Sequence, residues 1–81
     1  MKEIRINKCI VKTNEFLTSD SIEKVLLHCI DARNTYKDEV FYIVSTSRNF
    51  YGVKDKFDNF IGGMMHKKDL EDSIFLKVVN D

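Results

Sequence analysis

Five consecutive β-branched or aromatic residues at positions 40–44, Val-Phe-Tyr-Ile-Val, constrain the fold more than any other stretch of this chain. Charged residues precede the run, and small hydroxyl residues follow it. A short apolar run with polar flanks is typical of a strand that is covered on both faces. It predicts a central strand with other strands beside it and helices packed over it.

An amphipathic helix is predicted before this central strand. Apolar residues recur there at helical spacing, at Ile22, Val25, Leu26, Cys29 and Ile30. Thr18 is a suitable N-cap, and Asp20 with Glu23 offers a capping-box start two residues later. The pattern therefore predicts a helix over about residues 19–33.

Two further strands are predicted, one before this helix and one after the central strand. Residues 3–12 have the composition of a strand whose apolar side chains do not keep to one face. Either both faces are partly covered, or a bulge near residues 7–8 moves the apolar side chains to the other face, and such a strand suits the edge of a sheet. Residues 50–53 follow a polar break that contains Asn49, and they predict a short partner for the central strand.

The last third of the chain predicts a second helix and a final strand. Apolar residues at 57, 60, 61, 64 and 65 repeat helical spacing, with Asp55 as the N-cap. Gly62-Gly63 then either caps this helix or acts as a hinge. Residues 73–79 predict a strand. The predicted fold is a single compact α+β domain over residues 1–81, with a small mixed or antiparallel sheet of three to four strands and two helices packed on one face.

Composition and charge narrow the partners and the location that we expect for this chain. Thirteen Lys and Arg balance thirteen Asp and Glu, so the formal net charge is zero, and attraction to nucleic acid or to an anionic membrane needs a local patch. Zero net charge also gives little protection against self-association, so a homodimer is a candidate. No long apolar run or signal-peptide pattern is present, which predicts no membrane partner and a cytoplasmic location with Cys9 and Cys29 reduced.

Few residues offer catalytic or metal chemistry. The soft metal ligands Cys9, His28, Cys29 and His66 lack the spacing of a metal site. Cys29 with His66 and Asp69 could form a nucleophilic triad, but its place in the apolar helical stripe predicts burial. No glycine-rich phosphate loop is present. The sequence therefore predicts no catalytic residue, no metal, no cofactor and a protein that is not an enzyme.

The first functional prediction is a small non-enzymatic binding protein that contacts a protein partner. Adjacent methionines beside Gly62-Gly63 are typical of an adaptable contact surface. The chain has no proline or tryptophan, a composition associated with AT-rich coding, which favours an inhibitor or antitoxin-like accessory protein of a phage or mobile element. The predicted contact residues are Arg48, Tyr51, Met64, Met65, His66, Lys67 and Lys68.

The alternative is a module that binds RNA or single-stranded nucleic acid. Basic and aromatic residues are interleaved over residues 48–56, and such residues hold single strands by stacking on bases and pairing with phosphates. The residues predicted for this role are Arg48, Tyr51, Lys54 and Lys56.

Overall fold

The computed structural model describes residues 1–31 and 36–70 of the chain. Five strands and one long helix follow one another in the order β1 (Lys2–Ile6), β2 (Cys9–Thr13), α1 (Ser19–Ile30), β3 (Val40–Ser45), β4 (Phe50–Lys54) and β5 (Phe60–His66). Residues 67–70 add a helical turn after β5. The predicted strand at residues 73–79 lies outside the described residues.

The strands form one mixed sheet in the spatial order β1-β2-β3-β4-β5. Strands β2 and β3 are parallel, and the other three neighbouring pairs are antiparallel. Because parallel neighbours need a crossover, α1 connects β2 to β3, while short turns connect the antiparallel pairs. The predicted α+β class and mixed sheet are confirmed, and the run at residues 40–44 is the middle strand.

The predicted first strand, residues 3–12, is instead the hairpin β1–β2. Ile6 pairs with Cys9 across a two-residue turn. Asn7 has a φ of 54°, a left-handed conformation that asparagine adopts more readily than most residues. The change of face in the sequence therefore marks a chain reversal. The sheet consequently has five strands rather than three to four.

Helix α1 begins as the sequence predicts and ends three residues earlier. Oγ1 of Thr18 accepts a hydrogen bond from the backbone N–H of Ser21 at 3.1 Å, which confirms the N-cap. At the other end, Asp31 takes a left-handed conformation and donates its N–H to the carbonyl of Leu27 at 3.0 Å. This C-cap stops the helix at Ile30.

The predicted second helix after Asp55 is wrong, because this segment is a turn followed by β5. Oδ1 of Asp55 accepts hydrogen bonds from the backbone N–H groups of Phe57 and Asn59 at 2.9 and 3.0 Å. Asp58 adds a left-handed φ of 67°. The aspartate thus closes a hairpin turn instead of opening a helix. A second helical segment is present at residues 67–70 rather than after Asp55, so the prediction of two helices packed on one face is confirmed only in part.

Gly62 neither caps a helix nor serves as a helical hinge. Gly52 pairs with Met64 and Val53 with Ile61, so Gly62 and Gly63 form a bulge in β5. Gly62 has a φ of +67°, and a Cβ placed on it would collide with the carbonyl oxygen of Cys29. Glycine is required here because the end of α1 packs directly on this backbone.

The hydrophobic core lies between α1 and one face of the sheet. Its buried apolar residues are Ile6, Cys9, Val11, Ile22, Val25, Leu26, Cys29, Phe41, Ile43, Val53, Met65 and Leu70. The other side chains of the middle strand, those of Val40, Tyr42 and Val44, are only partly buried. The predicted cover on both faces of this strand is therefore wrong for the described residues. No helix within those residues has the length and apolar character needed to cross a membrane.

Candidate functional site

The face of the sheet opposite α1 is the candidate functional site, and it is called the open face below. Side chains alternate between the two faces along each strand, so the pairing register identifies those that point here. They belong to Glu3, Arg5, Ile10, Lys12, Val40, Tyr42, Val44, Phe50, Lys54, Phe60, Met64 and His66. In residues 1–31 and 36–70, no helix packs on this face, since α1 and Leu70 both belong to the core on the other side.

Four side chains form a row across the open face, perpendicular to the strands. Lys12 pairs with Tyr42, Tyr42 with Lys54, and Lys54 with Phe60. Cations and aromatic rings therefore alternate over four neighbouring strands. These four residues, Lys12, Tyr42, Lys54 and Phe60, are called the cross-strand row below.

The outer end of this row is an exposed aromatic platform. Phe60 is 58% exposed, and Nζ of Lys54 lies 4.8 Å from the centre of its ring. The ring lies over Gly52, because a Cβ on this glycine would be 3.4 Å from a ring carbon of Phe60 and 2.5 Å from the methyl group of Thr46. Because Gly52 has no side chain, the Phe60 ring has space to pack against the sheet.

Both lysines of the cross-strand row have carboxylate partners. Nζ of Lys12 lies 3.5 Å from Oε1 of Glu3, and Nζ of Lys54 lies 3.0 Å from Oδ1 of Asp58. All four side chains are at least a quarter exposed, so water screens these ion pairs and they contribute little to stability. The lysines are therefore available to exchange a carboxylate for another anion.

Cations outnumber carboxylates among the strand residues that point to the open face, although the formal net charge is zero. Strand residues pointing to the open face comprise three cations and one carboxylate, namely Arg5, Lys12, Lys54 and Glu3. Helix α1 has the opposite balance, because it carries Asp20 and Glu23 against a single Lys24. The strands of the open face thus carry a small excess of positive charge, which Asp58 partly offsets at Lys54.

The residues predicted for protein contact are not brought together on one surface. Met64 and His66 point to the open face, and Met64 is 56% exposed. Met65, in contrast, is 6% exposed and belongs to the core. Its neighbours Tyr51 and Lys67 lie on the helix side, where Nζ of Lys67 is 4.8 Å from the ring centre of Tyr51 and 2.8 Å from Oγ of Ser45.

The residues predicted for nucleic-acid contact are also divided. Lys54 belongs to the cross-strand row, whereas Tyr51 faces α1. Arg48 is exposed in the loop that precedes β4. Lys56 lies in the β4–β5 turn, with its Nζ 5.2 Å from the ring centre of Phe57. The four predicted residues of this basic and aromatic segment therefore do not lie on one face of the sheet.

Three members of the cross-strand row were missed by the sequence analysis. Tyr42 lies within a run of apolar residues that predicted a strand covered on both faces. Lys12 is the last residue of the predicted first strand, and Phe60 was assigned to a helix. Alternation along residues 40–44 is the only sequence signal that could have placed Tyr42 opposite Phe41 and Ile43.

Neither cysteine is placed for nucleophilic chemistry. Burial raises the pKa of the Cys29 thiol, which is 6% exposed. Burial also raises the pKa of Cys9; a backbone hydrogen bond from Lys8 opposes this, and the Glu39 carboxylate adds to it. A raised pKa keeps a thiol protonated and weakly nucleophilic at neutral pH. In the described part of the chain, no three His, Cys, Asp or Glu side chains lie close enough together to hold a metal ion.

Known proteins provide no assignment for this geometry. The chain matches no protein-family model, no curated protein and no solved structure. We therefore infer function from the chemistry of the open face.

Proposed function

We propose that this chain is a non-enzymatic module that binds single-stranded nucleic acid on the open face. The observation that carries the proposal is the cross-strand row, in which aromatic rings alternate with lysines. Proteins hold single strands by stacking exposed bases on aromatic side chains while cations pair with the backbone phosphates. The row has both groups on one accessible surface.

The spacing of the row favours a single strand over a duplex. Tyr42 and Phe60 lie on strands two positions apart, a separation of about 10 Å for neighbouring strands about 4.8 Å apart. Bases in a helix follow each other at about 3.4 Å. Two bases on these rings are therefore splayed apart, and Lys54 lies between them where the linking backbone passes.

Two exposed phenylalanines provide a matched test of this proposal. Phe60 on the open face and Phe57 in the β4–β5 turn are 58% and 71% exposed, and each has a lysine ammonium over its ring. Phe60→Ala should weaken binding of an octathymidylate roughly tenfold or more, because stacking contributes about 1–3 kcal/mol per base. Phe57→Ala should leave the affinity unchanged. Fluorescence anisotropy at low salt measures both, with circular dichroism as the folding control.

Two outcomes would overturn the proposal. One is the absence of measurable binding by the unmodified chain to oligothymidylate or oligouridylate at about 50 mM salt, where phosphate contacts are strong. The other is an equal loss of affinity in the two phenylalanine variants, since the open face would then have no special role.

A protein partner is the second candidate, and the exposed apolar residues of the open face favour it. Phe60 and Met64 are both more than half exposed, beside the partly buried Val44. A methionine in such a patch adapts to varied partner surfaces. An inhibitor or antitoxin-like role belongs to this candidate, as does a homodimer formed through the open face. A partner that is retained on the chain after nuclease treatment and lost in Met64→Ala would support it.

A further inference from the structure

A second group of aromatic and basic residues lies at the end of the open face, away from the cross-strand row. It consists of Arg48, Phe50, His66 and Lys68 and is called the loop-end cluster below. Phe50 pairs with His66 across β4 and β5, and their rings make an edge-to-face contact with centres 4.9 Å apart. Arg48 and Lys68 are exposed and lie two residues from these rings along the chain.

One backbone hydrogen bond joins the two halves of this cluster, and another hydrogen bond fixes the His66 ring. The N–H of Lys67 donates to the carbonyl of Asn49 at 2.8 Å, which joins the β3–β4 loop to the end of β5. The N–H of Lys68 donates to Nδ1 of His66 at 3.0 Å. Because Nδ1 is the acceptor, the neutral imidazole carries its proton on Nε2, which is then available as a donor to a ligand.

The charges of the loop-end cluster differ from those of the cross-strand row. Each lysine of the row has a carboxylate partner within 4 Å. The cluster itself has two cations, Arg48 and Lys68, and neither forms an ion pair within residues 1–31 and 36–70; Lys67 points instead to the helix side, toward Tyr51 and Ser45. A phosphate approaching this end of the face therefore meets two cations that no carboxylate of these residues neutralises.

We infer that the loop-end cluster is a second subsite for the same nucleic-acid strand, which binds a phosphate between Arg48 and Lys68 and a base against Phe50. The inference rests on the function proposed above. Phe50 and Lys54 are four residues apart on β4, so the subsite lies about 13 Å from the row at about 3.3 Å per residue. Only an oligonucleotide long enough to span this distance can use both.

A length series tests the inference. The probes are oligothymidylates of two, four, six and eight nucleotides, with NMR titration for the shortest and fluorescence anisotropy for the others. Arg48→Ala with Lys68→Ala should weaken binding of the octamer about tenfold and leave the dinucleotide unchanged. It should also lower the slope of log affinity against log salt by about 0.7, because the subsite binds one phosphate and each phosphate neutralised on a single strand contributes about that much. Lys56→Ala, an exposed lysine in the β4–β5 turn, is the matched control and should change neither.

Failure of the second subsite and failure of the proposed function would give different results. An equal effect of the double variant on the dinucleotide and the octamer, or no effect on either, would overturn the second subsite while Phe60→Ala still reports on the row. Absence of binding at every length would overturn the proposed function together with this inference. Binding of polyglutamate as tight as that of an oligonucleotide of equal charge would assign the cluster to an acidic protein and overturn the inference as well.

Discussion

The two faces of the sheet use alternate residues of the same strands for different purposes. On the helix side, Phe41, Ile43 and Val53 are at most 2% exposed and pack against α1. On the open face, Phe60 and Met64 remain 58% and 56% exposed. Burial of apolar area stabilises the fold only where another element removes that area from water. The comparison indicates that the helix side supplies stability, while the open face keeps apolar area available for a ligand.

The largest expected effect is the difference in unfolding free energy between two truncations of apolar side chains, one on the helix side and one on the open face. Leu26→Ala should lower the free energy of unfolding by about 2–5 kcal/mol, because Leu26 is completely buried and its loss leaves a cavity. Met64→Ala should change it by less than about 1 kcal/mol, since the side chain is exposed. Urea denaturation followed by circular dichroism measures both. A similar loss in the two variants would contradict the comparison, because it would show that Met64 is buried in solution.

The next effect concerns the close contact between α1 and β5. Gly62→Ala should lower the free energy of unfolding by roughly 2–4 kcal/mol, because alanine is strained at a φ of +67° and its Cβ would lie 2.5 Å from Cγ2 of Ile30. Gly63→Ala is the matched control, since its Cβ would have only one neighbour, at 4.0 Å. The same denaturation assay applies. Equal stability of the two variants would show that α1 does not pack on the bulge.

The smallest effect uses the buried thiol on the helix side. Burial raises the pKa of Cys29 in the folded protein, so the folded state retains a proton that the unfolded state releases. This difference in pKa contributes its full stabilisation at pH values below the usual thiol pKa. The contribution is lost as the pH rises through the higher pKa that the thiol has in the folded state. Cys29→Ala should therefore show a shallower fall of unfolding free energy above pH 9 in urea denaturation. An unchanged slope would mean that the thiol is accessible to water.

Local patterns predicted the elements whose residues are contiguous. The apolar stripe and Thr18 predicted α1 and its start, and the run at residues 40–44 predicted β3. These predictions succeed because helical periodicity and capping act within a few residues. Such predictions fail at β5. There, two glycines lie between the apolar pairs at residues 60–61 and 64–65, and this gives the pairs the spacing of apolar residues on one helix face. The turn closed by Asp55 and the pairing with β4 decide in favour of a strand.

The candidate site was less predictable than the fold, for a related reason. Its central residues Lys12, Tyr42, Lys54 and Phe60 come from four strands, and they become neighbours only through the pairing register. Arg48, Tyr51, Lys54 and Lys56 were predicted to bind together because they are close in the chain. Alternation within β4 instead turns Tyr51 toward α1 and Lys54 toward the open face.

By itself, the sequence determined that the chain forms an α+β fold with an amphipathic helix, a middle strand and an adjoining partner strand, because each follows from short-range periodicity. Tertiary structure alone decided that β5 is a strand, that one face of the sheet is free of any described helix, and that cations and rings alternate across that face. Pairing register and helix placement depend on contacts between residues far apart in the chain, and no local pattern encodes them.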